Sequence, residues 1–348
     1  MVSQIVAAFC IGVLAQTTDV SGLKSDNQDR IKQMIAVLDS REDQLDGVVE
    51  VLGPLTRLAP SDTEAQNATV RYLERMASHG ITVPISYARL LSQYDDHFGN
   101  AVMTSLTKSK TSDLQELWLV TFALMGKKAS KQVEPLTLYL HQQNDPKNIM
   151  MARIALAKMG AAPTDNPKII EKAIRERTAA GRAAVSMAAL VGLREWANEK
   201  TVSEILHWLT AKEISEDDRC MAAMAIAVSG YRDKTLVRSL QTLLAKAMKD
   251  PDSSARICYA YALALMNPDQ ADRYWRVILK KLGPKQFNHT DAFAILYLSV
   301  SIPPKQIAIV NQLRNDSDSE IAAEATKLGR IFTNFEKPPK KGKNTNLH

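Results

Sequence analysis

Catalysis and metal binding both need polar groups brought together, so the histidines, cysteines and acidic clusters are weighed first. The six histidines are His79, His97, His141, His207, His289 and His348. None is followed four residues later by another, and no H-E-x-x-H occurs, so no helix face pairs two imidazoles at zinc-binding spacing. Asp95-Asp96-His97 is the densest polar knot. A metal or acid–base site could be built from such a triplet, but at a helix junction it reads first as a capped turn. Glu213 to Asp218 (EISEDD) is acidic, which at a helix start simply favours the dipole. Cys10, Cys220 and Cys258 form no C-x-x-C. There is no G-x-S-x-G, no P-loop and no G-x-G-x-x-G. These residues predict no catalytic group, no cofactor site and no metal site.

The bulk of the 348 residues is that of an ordinary globular protein, 45% hydrophobic and 24% charged. Helix-compatible Ala, Leu, Lys, Arg and Met are abundant, and Gly and Pro number only 14 each. The formal net charge is +6. Lys337, Lys340, Lys341 and Lys343 against Glu336 place +3 of it in the tail, leaving +3 for the rest. That is mild for a protein that tracks phosphates, so nucleic acid is an unlikely partner. The tail 336–348 reads as a disordered basic end whose only expected contact is a weak one with an anionic surface.

A repeat is the strongest signal. Apolar, Ala-rich runs end at Gly126, Gly160, Gly192, Gly230 and Asn267, spaced 34, 32, 38 and 37 residues. A more diverged run ends at Gly329. Periods in this range mark a stacked array. Gly and Asn tolerate the left-handed conformation that commonly closes a helix, so each predicts a helix end. At a fixed offset of 37, Thr178, Ser215 and Asp252 align as predicted N-caps, and Arg182, Arg219 and Arg256 align four residues after them. Between the Ala-rich runs, 168–178, 202–211 and 236–249 carry apolar residues at i, i+3, i+4 and i+7. Thr201 and Glu204, and likewise Ser61 and Glu64, have capping-box spacing. Each unit is then two helices, neither of which buries its stripe alone. Cys220 and Cys258, one residue off the repeat offset, are expected as free buried thiols. Trp118, Trp196, Trp208, Trp275 and the Met-rich second helices could line a groove, but at helical spacing they read as core.

Here the chain resembles a known family. Leu243–Asn267, with its Asp250-Pro251 turn, Arg256 and Ala-rich second helix, resembles a HEAT repeat, an armadillo-type helical unit. Tyr139–Gly160, with Asp145-Pro146 and Arg153, is similar to it, and Leu313–Gly329 keeps only the acidic turn. The resemblance implies an all-α fold, a right-handed α-solenoid (α-α superhelix) of stacked helix pairs. It also implies a hydrogen-bonded ladder between neighbouring units, carried here by Asp145, Arg153, Arg182, Arg219, Asp250 and Arg256. Arginine suits that role because its guanidinium is a rigid fork of donors.

The predicted organisation is a signal peptide over 1–15, a linker over 16–26, a diverged N-terminal helical region over 27–110, HEAT-like repeats over 111–335 and the tail. Helices are expected at 28–38, 44–58, 62–78, 84–94 and 98–107 in the N-terminal region, with about six further pairs behind them. Ile5 to Ala15 is an eleven-residue apolar run ending in Val13-Leu14-Ala15, which fits export; the alternative is a buried first helix. Export would place the protein in a bacterial periplasm, at a cell surface or in a eukaryotic secretory route, in which last case Asn67, Asn288 and Asn315 stand in glycan-acceptor tripeptides; without it the expectation is cytoplasmic. No membrane span is predicted. The function expected is a non-catalytic scaffold binding a protein or peptide on a concave solenoid surface. The competing classes are a HEAT-like enzyme, of the bilin-lyase or DNA-glycosylase type, and an envelope-associated assembly protein.

Overall fold

The computed structural model describes residues 27–40, 48–162, 166–193, 196–211, 213–230, 234–249, 255–281 and 302–333. The described residues are helical, with no strand among them. The presumed signal, the linker, the basic tail, Asp250 and Asp252 lie outside them.

Five helices form the N-terminal region: α1 (Asn27–Ser40), α2 (Val48–Leu58), α3 (Thr63–Ser78), α4 (Tyr87–Leu91) and α5 (Phe98–Lys108). Asp62, not Ser61, caps α3, because its carboxylate accepts from Ala65 N at 2.9 Å. α4 is a single α-helical turn where the sequence predicted 84–94. Tyr87, Ala88 and Arg89 bond three residues back to Pro84, Ile85 and Ser86, and Gln93 and Tyr94 bond to Leu90 and Leu91. Those tighter turns replace the expected ends of the helix. Thr69, of the tripeptide at Asn67, is fully buried, with bonds to Ala65 O and Tyr94 Oη, each at 2.9 Å.

Twelve further α-helices follow among the described residues. They are α6 (Ser112–Met125), α7 (Val133–Gln142), α8 (Pro146–Met159), α9 (Asn166–Arg175), α10 (Ala179–Val191), α11 (Glu199–Thr210), α12 (Glu216–Ser229), α13 (Lys234–Ala247), α14 (Ala255–Met266), α15 (Ala271–Lys281), α16 (Pro304–Gln312) and α17 (Ser319–Thr333). α11 starts a turn earlier than Thr201 suggested. Asn198 is its cap, and Thr201 is the third helical residue completing the box from inside.

The helix ends follow from the backbone. Gly126, Gly160, Gly192 and Gly230 all have φ between 54° and 91°. At Gly160 the amides of Ala161 and Gly160 return to Leu156 O and Ala157 O, closing the helix in a Schellman turn. Asn267 works differently: its φ is −126°, and Pro268 behind it opens a short 3-10 turn. Gly329 does not end a helix, since α17 runs on to Thr333. An added Cβ there would collide with the Arg314 guanidinium, so the missing side chain leaves room for an arginine to cross the helix.

Packing sorts the helices into two kinds. α6, α8, α10, α12 and α14 pack each on the next, and each also packs on the helix before it in the chain, α5, α7, α9, α11 or α13. Beyond their first turns the first kind are apolar nearly all round. Cys220 to Ala227 are buried without a break, as are Ile257 to Met266. A helix apolar all round must be enclosed all round, and their many alanines let neighbouring axes approach closely. The second kind bury only a stripe, for example Leu236, Leu240, Leu244 and Ala247 of α13. The four tryptophans are core, at 2% exposure or less, as are the methionines of α8, α10 and α12. No helix among the described residues is long and apolar enough to cross a membrane.

Candidate functional site

The arginines aligned by the repeat do not share one partner. Arg182 Nε donates to Asp218 Oδ2 at 3.2 Å, reaching the next unit. Arg219 instead donates to Ala211 O and Ile214 O, at 3.0 and 3.1 Å, tying down the turn before its own helix. Arg256 is half-buried at the start of α14 and lines a cavity. Asp145 caps α8, accepting from Lys147 N at 3.0 Å with Pro146 as the first helical residue. Arg153 reaches forward to the first residue of α9: it donates to Asn166 Oδ1 at 3.2 Å, and Asn166 Nδ2 donates back to Arg153 O at 3.1 Å. Thr178 and Ser215 sit at helix starts, accepting from Gly181 N and Asp218 N, both at 3.1 Å.

Sequence reasoning missed the partners. Glu213 and Asp218 belong to the acidic run assigned to the helix dipole, yet they pair with Arg177 and Arg182 of the preceding unit. Both pairs span 36 residues, so laying the acids against the arginines one period earlier would have found them. Arg177 has φ +54°, the only positive value at a non-glycine among the described residues. Arg177 N and Thr178 N return to Ile174 O and Ala173 O, so Arg177 occupies the left-handed position of a Schellman turn that glycine usually fills.

Other polar links obey the same spacing. Trp208 Nε1 donates to Ile174 O (3.0 Å, 34 residues apart) and Trp275 Nε1 to Gln306 Oε1 (2.6 Å, 31 apart). Asn148 Nδ2 donates to Gln115 Oε1 (33 apart), Gln132 Nε2 to Asn100 Oδ1 (32 apart) and Gln241 Nε2 to Tyr274 Oη (33 apart). Lys147 pairs with Glu116, 31 residues back. Each joins residues that lie 31 to 34 positions apart in the chain.

The polar knot at 95–97 is a junction. Asp95, Asp96 and His97 hold ligand atoms within 4.8 Å of one another. Lys131 already supplies a cation, its Nζ 2.6 Å from Asp96 Oδ2. Its hydrogen bond holds Asp96 below the usual carboxylate range and raises Lys131 in turn. Asp95 Oδ1 accepts from the buried Gln66 at 2.9 Å and from His97 N at 3.1 Å. Burial pushes Asp95 up, but hydrogen bonds from Ser61, Gln66 and His97 outweigh it and hold its carboxyl below the usual carboxylate range.

Cys220 and Cys258 are free, buried and mutually adjacent across the α12–α14 contact. The hydrogen bond with Cys258, followed by burial, drives the Cys220 thiol well above its ordinary range. The Cys220 sulfur is thus a poor nucleophile. Comparison with family models, with curated proteins and with solved structures found no match.

Proposed function

We propose that the chain is a HEAT-like helical solenoid acting as a non-catalytic scaffold for a protein or peptide partner. The observation that supports this reading is the spacing of its polar links. Arg182–Asp218, Trp208–Ile174, Gln132–Asn100 and Trp275–Gln306 span 36, 34, 32 and 31 residues, one repeat each. Links of that reach suit a row in which a unit touches its neighbours, whose stability is a sum over successive interfaces. Such a row offers an extended surface.

The apolar runs of α6, α8, α10, α12 and α14 are not that surface, because their side chains are buried. In this reading the partner contacts the one-sided helices and the turns between units. The test is affinity capture with the full chain from its own source, followed by calorimetry of each captured protein, purified, against the chain. Saturable binding with a fixed stoichiometry supports the scaffold. Failure of every captured protein to bind in isolation, together with turnover of a small molecule by the chain alone, overturns it. N-terminal sequencing of the source material tests the expected export signal: a mature chain beginning at Gln16 supports it, and one beginning at Met1 or Val2 rejects it.

A further inference from the structure

A cavity of 520 Å³ lies between the end of α13 and the starts of α14 and α17, with α15 along its side. Four cationic side chains line it, Arg256, Arg273, Arg276 and Lys280, against two carboxylates, Asp318 and Glu320. Arg273, Arg276 and Lys280 stand at i, i+3 and i+7 on α15, along one face.

Two of these three already hold acids from the chain itself. Arg276 pairs with Asp316, whose carboxylate is almost fully buried, and Lys280 Nζ lies 3.1 Å from Asp318 Oδ2. Asp316 is extended, at φ −64° and ψ 145°, so the turn 316–318 presents acids two residues apart to cations one helical turn apart. The α15 face therefore pairs its cations with the acids of an adjoining turn. Arg273 is the next cation in that row, exposed and without an ion-pair partner among the described residues. Met248, 48% exposed, shares the cavity wall with Val277 and Ile321, giving the charged row an apolar border.

We propose that this cavity binds a short acidic peptide segment of a partner protein. One carboxylate would sit on Arg273, extending the row begun by Asp316 and Asp318, and a flanking apolar side chain would lie against Met248. Guanidinium groups suit this ligand because their paired N–H donors match a carboxylate's two oxygens. The inference rests on the scaffold reading and names the chemistry of its partner.

The test uses the full chain and a fluorescein-labelled hexapeptide alternating Glu and Leu, read by fluorescence anisotropy. Binding is expected, with about a fivefold loss in Arg273→Gln, in the range for one exposed charge-assisted contact. Met248→Ser should also weaken it, and Lys246→Gln, an exposed residue on α13 off the cavity, should not. Raising the salt should weaken the complex. A Lys/Leu counterpart should not bind. Equal binding by the parent and Arg273→Gln overturns the cavity while leaving the scaffold standing. Absence of binding, or tighter Arg273-dependent binding of a single-stranded oligonucleotide, overturns the acidic-peptide assignment. A captured partner that binds but lacks any acidic stretch counts against the acidic-peptide assignment and leaves the scaffold standing, whereas failure of every captured protein to bind counts against the shared premise.

Discussion

Gly181 is the third residue of α10, and its substitution by Ala tests the closeness of successive helices. Its amide N–H donates to the Thr178 cap at 3.1 Å. A Cβ built on Gly181 falls onto the Ala173 carbonyl group, with the carbonyl carbon at 2.7 Å and Ile174 Cα at 3.1 Å. Two effects compete. Helix propensity favours Ala over Gly by about 1 kcal/mol. Against it stands an obstruction made of backbone, which cannot rotate away as a side-chain end would. Relief requires the last turn of α9 to move, and that turn carries the Trp208 hydrogen bond to Ile174 O at 3.0 Å and the Thr178 bond to Ala173 O at 3.3 Å. Overpacking of this kind costs about 1–3 kcal/mol, and each weakened buried hydrogen bond adds about 1 kcal/mol. The clash wins, and Gly181→Ala should lose about 1–3 kcal/mol net. Urea unfolding followed by far-UV circular dichroism measures it as a lower midpoint at unchanged slope. Gly80→Ala is the comparison: its Cβ meets nothing within 4 Å, but φ is +73°, so only the left-handed penalty of about 1–2 kcal/mol applies. A Gly181→Ala protein as stable as the parent, or more so, would refute the close approach of α9 and α10 on which the repeat packing depends.

Trp208→Phe should cost about 1 kcal/mol, because it removes one of the two hydrogen bonds to Ile174 O, the Arg177 amide keeping the other, at a side chain 1% exposed; chemical unfolding reads it. Arg177→Gly should be more stable than Arg177→Ala by about 1 kcal/mol, since both lose the Glu213 pair but only glycine tolerates φ +54° freely; equal stabilities would place Arg177 outside the left-handed region. Cys220 and Cys258 should stay unmodified by iodoacetamide in the native chain at neutral pH and react on unfolding, as mass spectrometry would show; rapid native labelling would contradict their burial. Asp318 is held below the usual carboxylate range, first by Lys280 against the cost of burial, then by the amides of Ile321 and Glu320. A depressed folded value means its contribution to stability is complete above the unfolded value of about 3.9 and is lost as pH falls through the folded one. An NMR titration should find its midpoint below that of a free carboxylate, moving up in Lys280→Gln.

Much of this architecture can be read in the chain because it is local. Apolar periodicity, glycine stops and capping oxygens act within a few residues, so the helices, their ends at Gly126, Gly160, Gly192 and Gly230 and the caps at Thr178 and Ser215 follow from sequence. The same holds for the expectation of buried tryptophans, since a large apolar ring at helical spacing has nowhere better to go. What the sequence could not assign were choices between neighbours of similar chemistry. Asp62 rather than Ser61 caps α3, and Asn198 rather than Thr201 opens α11, because the direction of the incoming chain selects among adequate acceptors. The one-period offset of 36 residues brings Glu213 and Asp218 opposite Arg177 and Arg182, but which kind of partner each aligned arginine takes was decided by tertiary structure. Arg182, Arg219 and Arg256 look alike in sequence, yet one meets an acid of the next unit, one meets carbonyls and one lines a cavity. A side chain five bonds long finds its partner in three dimensions, set by how far each helix pair is shifted against the next. Enclosure of the second helices is likewise a property of the assembled packing. Beyond their first turns their sequences are apolar nearly all round, but only neighbours on all sides can bury those faces.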